Sequence, residues 1–152
     1  MTLSAQNVLG TPPGLVDSAG LSFHHFGLAV SRPEPAASFL RAIGYEIGEF
    51  LFDPLQNVHL TLCTHPVMPT VEIIHPGAGP GPLDRVLSVR DGLIYHLCYT
   101  VDNVTDTIEK LERADMLLFE VTPPKPAILF GGKLVSFYVI DGFGLVEFIH
   151  LS

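Results

Sequence analysis

Two histidine and glutamate pairs recur at almost the same spacing in this chain of 152 residues. His25 precedes Glu72 by 47 positions, and His96 precedes Glu147 by 51. Each glutamate stands in an apolar run, where an unpaired carboxylate would carry a large desolvation penalty. Two imidazoles and two carboxylates that meet at one point form a four-ligand site for one divalent metal ion. This ligand mix suits Zn, Ni, Co, Mn or Fe rather than a metal held by thiolates.

Each of these residues alone has a simpler interpretation. A single histidine on an apolar strand is usually a hydrogen-bonded core residue, and a single glutamate at the end of a strand is usually an edge or surface group. The repeated pairing of the two types is much harder to obtain by chance than either residue alone. It therefore favours the metal site.

The segments that carry these residues repeat one order of elements. Each histidine lies in a run rich in β-forming residues, 23–30 and 93–101, and a segment with apolar residues at helical spacing follows each run. Both halves end in nearly the same strand, Val-Glu-Ile-Ile-His and Val-Glu-Phe-Ile-His. The predicted helices are 34–43 and 104–114, and the further predicted strands are 45–52, 57–63, 70–75, 116–121, 133–140 and 144–151. The order in each half is βαβββ.

We therefore expect an α+β protein with two tandem βαβββ modules, 21–76 and 92–151, in a single domain 21–152. Residues 77–91 form a linker rich in glycine and proline, with a short helical turn at 83–87. The glycines of this linker do not predict a phosphate-binding loop, because no Gly-Lys-Ser/Thr follows them. Residues 1–20 are expected to form a flexible arm.

The composition excludes several classes of protein. There are 16 acidic and 8 basic side chains, a formal net charge of -8, which argues against binding to nucleic acid or an anionic membrane. Cys63 and Cys98 are too few for a disulfide framework and form no Cys-x-x-Cys pair. No apolar run approaches the ~18 residues of a transmembrane helix, and the first 20 residues do not resemble a signal peptide. These features predict a cytoplasmic protein.

Four segments of the chain carry a resemblance to a known family. They are 24–30 and 95–102, around the two histidines, and 71–76 and 145–149, around the two glutamates. In these segments the chain resembles the vicinal oxygen chelate superfamily, which includes glyoxalase I, methylmalonyl-CoA epimerase, extradiol dioxygenases and bleomycin- or fosfomycin-resistance proteins. The best local match is to the methylmalonyl-CoA epimerase-like branch, because a Gly/Pro linker leads into Pro-Leu-x-x-x-Leu at 82–87.

The resemblance implies two modules whose curved mixed sheets enclose a metal-binding cavity. It also implies that His25, Glu72, His96 and Glu147 bind the metal and leave two positions at which adjacent substrate oxygens chelate. A metal ion acting there as a Lewis acid stabilises an enolate-like intermediate. Members of the family usually form homodimers, which we expect here as well.

The predicted catalytic residues are His59 and Glu147. In the epimerase, a glutamate on the third strand transfers a proton, and the aligned residue here is His59, which can act as a general base near pH 7. The resemblance thus predicts a metal-dependent isomerase or epimerase that removes a proton next to a carbonyl or thioester. Its substrate would be an acyl-CoA or another carbonyl compound, although eight cations are few for the phosphates of CoA.

Other functions fit the same pattern. A glyoxalase I-like lyase uses the same four ligands, and an enzyme that rearranges a natural-product intermediate would suit the unusual His59. A ring-cleaving dioxygenase is disfavoured, because two histidines and one carboxylate bind its iron and Glu72 would be a superfluous ligand. A non-catalytic binding or resistance protein often lacks the metal ligands and lines its cavity with aromatic residues, whereas this chain keeps all four ligands and has no Trp.

Overall fold

A computed structural model describes residues 18–152 of the chain. Most of the predicted N-terminal arm, residues 1–17, therefore lies outside the described part. Within 18–152, none of the helices has both the length and the apolar character needed to cross a membrane.

The first half of the described chain builds five strands and one helix. The helix α1 begins with Pro33 at its first position, where the missing N–H of proline is tolerated, and Gly44 with a φ of 98° follows its end. The elements are β1 (Leu21–Ala29), α1 (Pro33–Ala42), β2 (Glu46–Ile47), β3 (Leu51–Asp53), β4 (Val58–Thr64) and β5 (Thr70–Pro76).

The second half builds four strands and two helices. Asn103 caps the longer helix α3, because its side-chain oxygen accepts a hydrogen bond from the backbone N–H of Asp106 at 3.1 Å. The elements are α2 (Asp84–Val89), β6 (Leu93–Val101), α3 (Val104–Arg113), β7 (Leu118–Pro126), a 3-10 turn (Ile128–Phe130), β8 (Leu134–Ile140) and β9 (Gly144–His150).

All nine strands join one curved, open, mixed sheet in the order β2-β4-β5-β1-β6-β9-β8-β7, with β3 paired to β4. β1 and β6 pair antiparallel and unite the two halves, while β1–β5 and β6–β9 are parallel pairs. The four central strands are thus the two that carry the histidines, flanked by the two that carry the glutamates. This architecture confirms the predicted α+β fold.

The two faces of the first half have different neighbours. On one face, α1 packs through Ala37 and Leu40 against Cys63, Val71 and Ile73 in a buried apolar cluster. On the other face, Ala29, Leu60 and Ile74 form a second cluster under Leu83, just before α2. Successive residues of a strand lie on opposite faces, so the position of a residue along β4 or β5 decides which cluster it meets.

Two predicted strands differ in the structure. The predicted strand 45–52 is two short strands, because the pairing with β4 shifts by one residue between Ile47, which pairs with Cys63, and Leu51, which pairs with Leu60. The predicted strand 116–121 instead runs from Leu118 to Pro126. Its prolines are tolerated because β7 lies at the sheet edge and is bulged, so that their missing N–H groups break no ladder.

Asn57 fixes the loop between β3 and β4 to the linker. Its side-chain amide donates to the carbonyl oxygens of Ala78 and Pro80, both at 3.1 Å. Its φ of 53° lies in the left-handed region that asparagine tolerates better than most residues. This anchor holds the segment that follows Asp53 in place beside the site described next.

Candidate metal centre

The four predicted ligands converge on one point between the central strands. The Nε2 atoms of His25 and His96 lie 3.3 Å apart. The Oε2 atom of Glu72 is 3.5 Å from His25 Nε2 and 3.4 Å from His96 Nε2, and the Oε2 atom of Glu147 is 3.4 Å and 3.3 Å from the same two nitrogens. All four side chains are buried, with at most 3% of each residue exposed.

The spacing and chemistry of these donors fit a divalent metal ion. Four ligands placed tetrahedrally at ~2.1 Å from an ion stand about 3.4 Å from one another, which matches the spacing of the four atoms. The Oε2 atom of Glu147 is buried and has no hydrogen-bond partner, although it points at both histidines. Two neutral imidazoles and two carboxylates would balance the charge of such an ion.

The electrostatics of the cluster also favour a positive charge at its centre. Burial would lower the pKa of His25, but the close contacts with Glu147 and Glu72 and their charge outweigh it and raise that pKa to about 9. Burial would raise the pKa of Glu147, but the close contacts with His25 and His96 and their charge lower it to about 2. The carboxylate of Glu147 therefore stays ionised and attracts a cation.

Gly27 makes room for this arrangement. It pairs with Glu72 on one side and with His96 on the other. A Cβ atom at position 27 would overlap the imidazole ring of His96. A residue without a side chain is therefore required between the two halves of the site.

His24 supports His25 through a contact that the alternation of a regular strand does not predict. A bulge between Phe23 and His25 disturbs the alternation of side chains in β1 and brings the Nδ1 atoms of the two histidines to 2.8 Å. When Nε2 of His25 binds an ion, the hydrogen of that ring lies on Nδ1, so His25 donates to His24. Such outer partners orient metal-binding histidines.

His59 lies on the other face of the sheet. It pairs with His75, and the rings of the two histidines stack with their centroids 4.7 Å apart. This is the face of Ile73, which packs under α1, whereas Leu62 is the residue of β4 that pairs with Glu72. The prediction that His59 serves as the base at the metal site is therefore wrong in this structure, because the sheet separates the two.

A small chamber beside the cluster contains polar groups that were not singled out from the sequence. Glu72 and Glu147 form part of its wall together with Asp53, Gln56 and Tyr95. The remaining lining is apolar and comes from Leu60, Ile74, Ala127, Leu129, Phe130 and Phe137. The sequence shows Asp53 only as part of an Asp-Pro turn, so nothing in its pattern distinguishes it from a surface residue.

Asp53 is buried and its carboxylate is held firmly. One of its oxygens accepts hydrogen bonds from the backbone N–H groups of Leu55 at 2.9 Å and Gln56 at 3.3 Å, and the other accepts from the side-chain amide of Gln56 at 3.1 Å. Tyr95 also lines this chamber. Burial, with the charges of Glu72 and Glu147, raises the pKa of its phenol well above the usual range, so this group stays protonated and can donate a hydrogen bond.

A larger cavity of about 320 Å³ adjoins the chamber. It shares Gln56, Ile74, Tyr95 and Phe137 with the chamber. The further lining residues are Leu55, Pro82, Leu83, Val86, Val121, Thr122, Lys125, Val135 and Leu145.

Cys98 lies in an apolar cluster with Ala127 and Ile149, and burial raises the pKa of its thiol far above the range of a reactive cysteine.

Solved structures of other proteins share this fold. A methylmalonyl-CoA epimerase from Mycobacterium tuberculosis superposes with a TM-score of 0.73 at 16% identity, covering 91% of this chain and 94% of the other. A Streptomyces coelicolor methylmalonyl-CoA epimerase variant in complex with 2-nitronate-propionyl-CoA has a TM-score of 0.64 at 13% identity, with coverage of 86% and 97%. A methylmalonyl-CoA epimerase in complex with methylmalonyl-CoA and NH4+ gives 0.64 at 14%, with coverage of 86% and 94%.

At these identities the likeness concerns the fold alone. No curated protein matches the chain. The family assignment comes from the sequence, because the family model described as the glyoxalase/bleomycin resistance protein/dioxygenase superfamily matches residues 24–137, well over half of the chain. With two repeated modules and a buried cluster of two histidines and two glutamates, the chain belongs to this superfamily.

Proposed function

We propose that the protein is a divalent-metal-dependent isomerase or epimerase that removes a proton from the carbon next to a carbonyl or thioester. The observation that carries this proposal is the chamber in which Asp53 faces the same space as Glu72 and Glu147. Asp53 is the one carboxylate among the described lining residues of that chamber that does not belong to the four-residue cluster. The structural neighbours that are methylmalonyl-CoA epimerases support this class of reaction.

The residues have separate roles in this proposal. His25, Glu72, His96 and Glu147 would hold the metal. A bound divalent ion supplies Lewis-acid stabilisation of the negative charge that develops on the substrate oxygen. The protein has to supply the base and the surroundings in which that charge forms.

Asp53 takes the place that the resemblance gave to His59. Its carboxylate accepts the substrate proton, and its three hydrogen bonds from Leu55 and Gln56 hold it in one orientation during the transfer. The protonated phenol of Tyr95 donates a hydrogen bond to the polar end of the substrate. The apolar wall around Phe130 and Phe137 excludes water, which strengthens both interactions.

Deuterium exchange tests the proposal directly. The metal-loaded protein is incubated in deuterated water with a panel of acyl-CoA thioesters and α-hydroxy carbonyl compounds, and deuterium next to the carbonyl is measured by NMR. We expect metal-dependent exchange for at least one compound and a loss of roughly 100-fold or more in Asp53→Asn, as is typical for removal of a general base. The exposed Asp141→Asn is the matched control and should exchange normally.

The alternatives give other results. No exchange across the panel with metal bound would contradict the proposal, and turnover of a hemithioacetal instead would favour the glyoxalase I-like lyase, whose ligand set this chain keeps. A His25→Ala variant that loses metal but still binds its ligand would favour a non-catalytic binding protein. An enzyme that rearranges a natural-product intermediate would also catalyse deuterium exchange, so this experiment does not separate it from the isomerase. The homodimer and the cytoplasmic location stay predictions.

A further inference from the structure

The cavity next to the candidate metal centre is lined mostly by apolar side chains. Nine of its thirteen lining residues are apolar, and the other four are Gln56, Tyr95, Thr122 and Lys125. They come from both halves of the chain, so the cavity is a feature of the closed fold rather than of one loop. A cavity of this kind accepts an apolar group.

The apolar cavity and the metal-side chamber are parts of one site. Gln56, Ile74, Tyr95 and Phe137 line both. One molecule can therefore place oxygens near Glu72 and Glu147 and an attached group between Ile74 and Phe137. A volume of about 320 Å³ is at the lower end of the range for small-molecule cavities, so the attached group is compact.

The charge around the cavity disfavours a CoA carrier. Lys125 is the only positively charged residue that lines it among the residues described, and it lies on the exposed edge strand β7. The nucleotide part of CoA carries several phosphate charges, which proteins bind with clustered cations or with helix N-termini. The net charge of -8 also disfavours the binding of such a group.

We infer that the substrate is a small α-oxygenated carbonyl compound with a compact aryl or branched alkyl group, and that CoA does not carry it. This inference rests on the proposed function for the reactive end of the molecule. It adds the chemical class of the rest of the substrate molecule. The apolar group enters the cavity between Ile74, Val121 and Phe137, while the oxygens point toward Glu72 and Glu147.

A pair of probes with identical reactive ends measures the contribution of the apolar group. Mandelate and lactate both carry adjacent hydroxyl and carboxylate oxygens and the same charge, but only mandelate carries a phenyl ring. Calorimetric titration of the metal-loaded protein should show mandelate binding about 10- to 100-fold more tightly, as expected for burial of an aryl group. Equal affinities of the two acids would overturn the inference.

Propionyl-CoA tests the second part of the inference. We expect it to bind no better than lactate at low salt and to leave mandelate in place. The inference is wrong if propionyl-CoA binds more tightly than mandelate and loses that affinity both in added salt and in Lys125→Gln.

Two matched variants locate the effect. Val121 lines the cavity and is 51% exposed, so Val121→Asn should fold and reduce the ratio of mandelate to lactate affinity several-fold. Val67 is 86% exposed and does not line the cavity, so Val67→Asn should leave the ratio unchanged. An unchanged ratio in Val121→Asn, with its melting temperature preserved, would count against the assigned cavity.

These binding measurements separate the inference from the proposed function. If the protein prefers mandelate but exchanges deuterium into no compound, the proposed isomerase reaction is wrong. The inferred substrate class would still stand. Exchange that is efficient with acyl-CoA thioesters and absent with aryl hydroxy acids would overturn the substrate class while supporting the reaction.

Discussion

The two halves of the molecule contribute equally to the metal cluster and unequally to its walls. His25 and Glu72 from the first half and His96 and Glu147 from the second lie at nearly equal distances around one point. The wall from the first half brings polar Asp53 and Gln56 to the chamber. The wall from the second half is apolar at Ala127, Leu129, Phe130 and Phe137, and apart from Glu147 its one polar group there is the phenol of Tyr95.

This difference has a local structural cause. In the first half, the strand after the helix is broken into β2 and β3, and the turn after β3 brings Asp53 to the chamber. In the second half, the corresponding strand β7 is continuous and nine residues long, and the 3-10 turn Ile128–Phe130 follows it. The repeated part of the fold therefore provides the four candidate ligands, and the parts that differ between the halves line the space beside them.

Removal of one ligand from either half gives the largest expected effect. His25→Ala and His96→Ala should each weaken metal binding by more than the 10- to 100-fold that loss of an outer partner causes, and by similar amounts, because the two imidazoles are equivalent. Metal content after dialysis, measured by mass spectrometry, checks this. His59→Ala is the control and should retain its metal, because His59 lies on the opposite face. A large loss of metal in His25→Ala but not in His96→Ala would show that the two halves do not contribute equally to metal binding.

Gly27→Ala should weaken metal binding nearly as much without removing any ligand. The added methyl group overlaps the His96 ring, which must then move away from the cluster. Gly81→Ala is the matched control, since a Cβ there meets only ordinary contacts with Asn57 at 3.6 Å. Metal affinity is measured by competition with a chelator, and normal affinity in Gly27→Ala would show that the two central strands are spaced more widely than described.

His24→Phe should have a smaller effect, roughly a 10-fold loss of metal affinity, which is typical of an outer hydrogen-bond partner. Phenylalanine keeps the contact with Phe130 but cannot accept the hydrogen bond from His25. Nitrogen-15 NMR of the histidine rings should show that the hydrogen on His25 Nδ1 loses its partner. This loss affects only the first half, because His96 Nδ1 is buried without a hydrogen bond. Unchanged ring shifts of His25 would contradict the assigned role.

The pH dependence of stability should be modest and specific to the metal-free protein. Glu147, with its pKa lowered from 4.5 to about 2, contributes stability above pH 4.5 that is lost as the pH falls toward 2. His25, with its pKa raised from 6.5 to about 9, contributes stability below pH 6.5 that is lost as the pH rises through 9. Thermal unfolding with excess chelator should therefore be optimal between pH 4.5 and 6.5.

Added metal should reverse the alkaline part of this profile. Protons compete with the metal at His25, so metal affinity should rise with pH up to about 9, and the loaded protein should gain most stability there. Stability of the metal-free protein that increases steadily from pH 6.5 to 9 would contradict the raised pKa of His25.

The fold and the clustering of the four candidate ligands could be predicted from the sequence because both repeat. The halves share their element order, and His25, Glu72, His96 and Glu147 stand at matching positions of it. A repeated pattern survives errors in element boundaries, such as the strand predicted at 45–52 that is two strands in the structure.

The surroundings of the site could not be predicted, because they depend on pairing between distant residues. His59 lies on the face away from the cluster because it pairs with His75. A shift of one residue in the pairing of β4 with β5 would place it on the opposite face. His24 reaches His25 only through a bulge in β1. Asp53 reaches the chamber only because β2 and β3 are separate strands followed by a turn. None of these features leaves a pattern in the local sequence.

Cobalt substitution tests most directly that one metal ion is held by the four repeated residues. A second group of possible ligands, His24, His25 and Cys98, lies beside the first and would bring a thiolate to the metal. We expect one Co(II) per chain with only nitrogen and oxygen ligands by X-ray absorption and no sulfur-to-metal charge-transfer band, in wild type and in Cys98→Ala alike. A sulfur ligand that disappears in Cys98→Ala, or no bound cobalt, would contradict the four-residue site.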